Sequence, residues 1–213
     1  MADTVEHVSV VAGMAAPVVT LGAIVLATLL SPTFAWTGNA LSNLGSPVTD
    51  ASTPTTRLVF NGGLLCGAVV GAGFGYALLR AVRNVVELAG VGVFGLVVIL
   101  MGLIGVFPQG TPEHVPVAIT FYVLLSWGLW IYGVGNVRAG ARERGLVTIG
   151  AGILNTGVWA VWIATGPLMR PGLAIPELVG AMLLAGWTLA TALDARTRLA
   201  TDRNRVSSDI QSQ

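Results

Sequence analysis

The sequence predicts an all-α membrane protein: six transmembrane helices in three hairpins, with a long first outer loop carrying a short interfacial helix. Three observations predict it. Of 213 residues, 54% are hydrophobic and only 10% are charged, against about 25% charged in an ordinary soluble domain. The mean hydropathy is +0.79, that of a chain whose main solvent is lipid. Six windows also approach or exceed the roughly 20 mostly apolar residues that a helix needs to cross a bilayer.

The first window is Val8–Leu30. The residues before it carry Asp3 and Glu6 and no basic residue. A signal peptide has a positive n-region, so this window reads as a retained helix. The others are Leu58–Leu79, Val85–Val106, Val115–Val137, Leu146–Thr165 and Ile175–Leu193. Together they make one transmembrane domain over residues 1–195, followed by a polar tail, 196–213. After Arg205 the tail is polar enough to be irregular. A repeat is visible in the hairpin tips. Gly105-Val-Phe-Pro108 stops one helix before Pro112-Glu113 starts the next, and Gly166-Pro167 precedes Pro176-Glu177 in the same way. Proline suits the first helical position, and glutamate favours the positive helix N-terminus.

Orientation follows from the arginines, since the chain has no lysine. Arg80, Arg83, Arg138, Arg142, Arg144, Arg196, Arg198, Arg203 and Arg205 fall on one side, Arg57 and Arg170 on the other. Positive loops stay inside, so a plasma-membrane protein with both termini cytoplasmic is expected.

Several function classes drop out. A net charge of +1 gives no bulk attraction for nucleic acid. Cys66 is the sole cysteine, and His7 and His114 are the only histidines. No intrachain disulfide, no CxxC motif and no three-histidine zinc site can form, so neither a metal nor another cofactor is expected. No Asp, Glu or Arg lies at a span centre, which argues against an ion-coupled transporter. Glu87 can pair with Arg83 as a weak surface interaction.

Polar residues within the spans are few: Asn61, Ser126, Asn155 and Thr156. In lipid such groups seek partners across helices. Span two carries Gly67, Gly71 and Gly75, with Gly73 between, and span three has Gly92, Gly95, Gly102 and Gly105. Small residues let helix backbones approach. The span-two stripe serves either packing within the chain or a homo-oligomer face through Gly67, Gly71 and Gly75.

The first outer loop carries the main candidate site. Phe34, Trp36, Leu41 and Leu44 alternate there with Asn39, Ser42 and Asn43. Tryptophan suits the headgroup interface. Asn39 to Leu44 fits a short interfacial or re-entrant helix closed by Gly45 as C-cap. Amides and hydroxyls at that depth can bind phosphate or glycerol oxygens. The loop is expected to fold over the helix ends and bring Asn39 or Ser42 near His114. Gln109, Glu113 and His114 stand in the next outer connection. A histidine beside a carboxylate can do acid–base work, and Ser42 is a conceivable nucleophile. No Gly-x-Ser-x-Gly elbow accompanies it.

Trp36-x-x-Asn39-Ala-Leu-Ser42-Asn-Leu-Gly45, then Phe60-Asn61-x-Gly63, Gly105-Val-Phe-Pro108 and His114, resemble the prokaryotic membrane family catalogued as domain of unknown function 998. The likeness spans nearly the whole chain. It implies a six-helix membrane protein of a type common in archaea and no established activity. Asn43 stands where that family often has Asp, and Gln109 where it often has Glu; both exchanges lower the enzyme reading. The layout is also similar to eukaryotic autophagy-modulator and GPI-remodelling membrane proteins, with a Ser-x-x-Gly loop after span one and a histidine near span four.

The leading expectation is therefore a non-enzymatic protein that holds a membrane lipid or amphiphile headgroup at its outer face through Trp36, Asn39, Ser42, Asn43, Asn61 and His114. The alternatives are a lipid-modifying enzyme using His114, Glu113 and Ser42, and a small transporter or transporter subunit with a path reaching Asn155.

Overall fold

The structure, a computed structural model, describes residues 2–165 and 172–211, with side chains over 4–165 and 172–197. Six α-helices account for most of it: α1 Ala2–Leu30, α2 Pro54–Ala81, α3 Val85–Val106, α4 His114–Arg138, α5 Arg142–Thr165 and α6 Ala174–Gln211. One 3-10 helix, η1 Leu41–Gly45, interrupts the α1–α2 connection. No strand occurs among the described residues. All six α-helices are long and apolar enough to cross a membrane, and each expected window lies inside one of them. The chain is a multi-pass membrane protein.

Local chemistry sets the helix starts. Thr53 caps α2 by accepting from the Thr56 N–H at 3.1 Å, and Pro54 takes the first helical position, where its missing N–H costs nothing. Asn84 caps α3 by accepting from the N–H groups of Val86 and Glu87 at 3.1 and 3.0 Å. After α4, Gly140 turns the chain at φ +82°, a left-handed conformation that a residue with a Cβ resists.

The helices form a ring. α1 packs on α2, α2 on α3, α3 on α4 and α4 on α5, and α6 returns to α1. The third pair is the loosest, because α6 leans on α1 more than on α5. Its tip, with Gly166 and Pro167, lies outside the described residues. The apolar core, which includes Leu64, Phe74, Phe94, Val97 and Leu125, sits within α1–α4 and α6. Leucine, isoleucine and valine side chains such as Leu58, Ile99, Ile119 and Ile163 remain exposed, which is the surface a bilayer solvates.

Four local expectations change. The short helix of the first loop starts at Leu41, is 3-10, and has all five residues buried. Of the two forms expected, it matches the re-entrant one: a plug inside the bundle mouth rather than an element lying at the interface. Gly45 is not a left-handed cap, since the only glycines with positive φ among the described residues are Gly110 and Gly140. Glycine is needed there because a Cβ would collide with the Asn61 carboxamide and the Phe60 ring. The Arg83–Glu87 pair forms as expected but only Arg83 is at the surface: Glu87 is only 1% exposed. Arg83 donates to Glu87 through its backbone N–H at 2.8 Å and its Nε at 3.1 Å, and to Asn136 Oδ1 at 2.9 Å. Packing of Gly135 of α4 onto Glu87 buries the carboxylate while Arg83 stays exposed, and the carboxylate raises the Arg83 pKa above its ordinary value. The polar tail, expected to be irregular, continues α6 as far as Gln211. Residues 197–211 contain neither glycine nor proline, so nothing in that sequence breaks the helix.

The span-two glycines do not share one environment. Gly67 is buried where a Cβ would strike Thr20 of α1, Gly71 is buried against Val98 and Ala16, and Gly75 meets no neighbour. Gly67 and Gly71 thus serve packing within the chain.

Candidate functional site

The η1 end of the bundle is assembled from three distant parts of the sequence. The first loop contributes η1, the α3–α4 connection contributes Gln109, and the start of α6 contributes Glu177. Each part supplies what another lacks. The first N–H groups of a short helix have no internal partner; here the Leu41 N–H donates to Glu177 Oε2 at 2.5 Å. The Ser42 N–H and hydroxyl border the same carboxylate. The Ala174 N–H, at the start of α6, donates to the Asn39 carbonyl at 2.9 Å. Glu177 is thereby held 7% exposed, with its carboxyl group turned to η1 rather than to lipid.

The amides of the first loop hold the plug together. Asn39 Oδ1 accepts from the Ala35 N–H at 2.8 Å, and Asn39 Nδ2 donates to Asn43 Oδ1 at 3.2 Å. Asn43 Oδ1 also accepts from the Ala40 N–H at 2.8 Å. Gln109 Oε1 then receives Asn43 Nδ2 at 2.6 Å and the Ser42 hydroxyl at 2.9 Å. Asn61 Nδ2 donates to the Gly45 carbonyl at 3.0 Å. Trp36 is 41% exposed and stacks edge-on against Phe34 with ring centres 5.2 Å apart.

His114 is 5% exposed. Its Nδ1 lies 2.8 Å from the Phe107 carbonyl, so that nitrogen carries a proton and Nε2 is left for other work. The Ser42 hydroxyl has one proton to give, and Gln109 is its hydrogen-bond acceptor at 2.9 Å; the pairing that a Ser–His nucleophile requires is not the one formed. Glu113, beside His114 in sequence, is exposed and caps no N–H with its side chain.

Ser42, His114, Tyr122 and Glu177 meet at the junction of two cavities. One is a narrow void of about 80 Å³ running into the bundle between Ile24, Leu64, Phe94 and Leu184. The other is a groove of about 630 Å³ between α4 and α5, flanked by Val115, Ile119, Trp127, Trp130, Trp159 and Ile163. Val115, Ile119, Trp127 and Ile163 are exposed, so the groove opens sideways, where lipid would lie. Deeper in, Asn155 Nδ2 ties α5 to α4 through Ser126 Oγ at 2.8 Å and the Tyr122 carbonyl at 3.1 Å.

Of the residues singled out from the sequence, Ser42 and His114 come to the same cavities, while Asn39, Asn43 and Asn61 bind the loop to itself, to Gln109 and to α2. Glu177 and Tyr122 join the site without having been singled out. Pro176-Glu177 reads as an ordinary helix start, and the same signal at Pro112-Glu113 does mark a carboxylate that faces outward. Tyr122 carries no local signal at all.

One family matches the chain, over residues 14–194: a protein of unknown function, DUF998. No curated protein and no solved structure matches it.

Proposed function

The chain belongs to the DUF998 family of proteins of unknown function, and from the geometry of its η1 face we propose that it binds a membrane amphiphile there. The observation that carries the reading is the α4–α5 groove. Along α4 from Val115 to Trp130, about 22 Å of helix at 1.5 Å per residue, its lining is mostly apolar, with Tyr122 and Ser126 between, which suits an acyl chain. It ends on Ser42, Gln109, His114 and Glu177, polar groups where a headgroup would sit. Its volume of about 630 Å³ falls in the range of roughly 300–1,000 Å³ usual for small-molecule sites. With the arginine-rich end in the cytoplasm, the headgroup end faces the outer leaflet.

The test is photolabelling of purified protein with a diazirine-bearing long-chain alcohol, read by mass spectrometry. Labels are expected on α4 and α5 between residues 115 and 163. Ala118→Trp, which fills the groove beside His114, should remove them, with thermal stability recorded alongside. Equal labelling of a stably folded Ala118→Trp variant, or labels scattered over all helices, would overturn the reading.

A further inference from the structure

We infer that the amphiphile has a small uncharged hydroxyl headgroup, as in a long-chain alcohol or a monoacylglycerol, rather than a phosphate or an ammonium; this rests on the amphiphile reading above. The chemistry of the groove end decides it. Among the described residues lining either cavity at that junction there is no arginine. A phosphate would instead face the Glu177 carboxylate without a guanidinium partner, where phosphate sites ordinarily use one.

An ammonium fits no better. The Glu177 carboxylate is already engaged by the Leu41 N–H and bordered by the Ser42 N–H and hydroxyl, so an entering cation would compete with donors fixed in η1. Where the two cavities meet, His114 and Tyr122 set one acceptor and one donor side by side. His114 has Nδ1 committed to the Phe107 carbonyl, which leaves Nε2 to accept. The Tyr122 hydroxyl has only a long contact, 3.3 Å, to the Glu177 backbone carbonyl, which leaves it able to donate elsewhere. Both residues line both cavities. An alcohol is the smallest headgroup that uses both: its proton goes to His114 Nε2 and its oxygen accepts from Tyr122. Two such hydrogen bonds, made away from water, discriminate because a ligand lacking them leaves buried polar groups unpaired.

The experiment is competition against the diazirine alcohol in detergent-purified full-length protein, with monooleoylglycerol, hexadecylamine and phosphatidate as competitors. Monooleoylglycerol is expected to displace the probe at least 10-fold more effectively than the other two. Tyr122→Phe should cut that preference about 5-fold or more, while labelling by a head-less diazirine alkane stays unchanged. Phosphatidate or hexadecylamine competing as well as monooleoylglycerol would overturn the inference and leave amphiphile binding standing. So would phosphatidate binding that is abolished by Arg170→Ala, since Arg170 lies outside the described residues. A preference untouched by both Tyr122→Phe and His114→Gln would overturn it too. Absence of groove labelling by every probe would sink the amphiphile reading itself.

Discussion

Glu177 illustrates how much one side chain can hold in place. Its carboxylate receives the Leu41 N–H at 2.5 Å and is bordered by the Ser42 N–H and hydroxyl, so it acts as a cap for a helix belonging to another part of the chain. Removing an acceptor from a buried donor costs about 1–3 kcal/mol. Glu177→Ala is therefore expected to lower unfolding stability by about that much. Glu177→Gln, which keeps one carbonyl oxygen, should lose less. Thermal unfolding in a mild detergent reads the difference; equal stability of wild type and Glu177→Ala would show that η1 finds other acceptors. The role was not legible beforehand. Proline followed by glutamate has a complete local explanation at any helix start, and Glu113 and Glu177 are alike by that measure. Only contact with η1, 136 residues away, separates the inward carboxylate from the outward one.

At the level of elements, the helices were readable and the depth of their connections was not. Hydropathy alone places six spans, because a bilayer-crossing helix must be long and apolar whatever it packs against. The Asn39–Gly45 segment announced a short helix through its alternation of apolar and amide residues. Its burial depended on Gln109 and Glu177 meeting the polar side, which no local pattern shows. The glycine stripe was likewise half legible: the spacing signals close approach, but the side of approach is set by α1. Gly67→Leu would drive a side chain into Thr20 and is expected to cost about 1–3 kcal/mol, as overpacking does. Gly75→Leu, with no neighbour in reach, should be close to neutral. Similar losses for both substitutions, measured by the same unfolding assay, would mean that Gly75 also meets a surface, such as a second copy of the chain.

For the whole molecule, the two ends of the bundle differ in chemistry. The end with Arg83, Arg138, Arg142 and Arg144 carries the Arg83–Glu87–Asn136 network and an Arg144–Asp194 pair. The other carries the amide-bound plug and the groove mouth. The positive-inside rule assigns the first to the cytoplasm. A cysteine introduced at position 142, in a Cys66→Ser background, should therefore resist membrane-impermeant maleimide applied to intact cells and react after permeabilisation. Labelling before permeabilisation would invert the topology and place the groove mouth in the inner leaflet. The link between η1 and α6 also bears on the order in which the protein can be made. Leu41 and Ser42 emerge from the ribosome 136 and 135 residues ahead of Glu177, about 7–27 s earlier at about 5–20 residues per second. Through that interval the first loop exists without the carboxylate that anchors it, and the entrance of the bundle is unlatched. The finished site is thus closed by α6, which is synthesised after α1 to α5, and a nascent chain stalled before Ala174 would present an open mouth to the surrounding lipid.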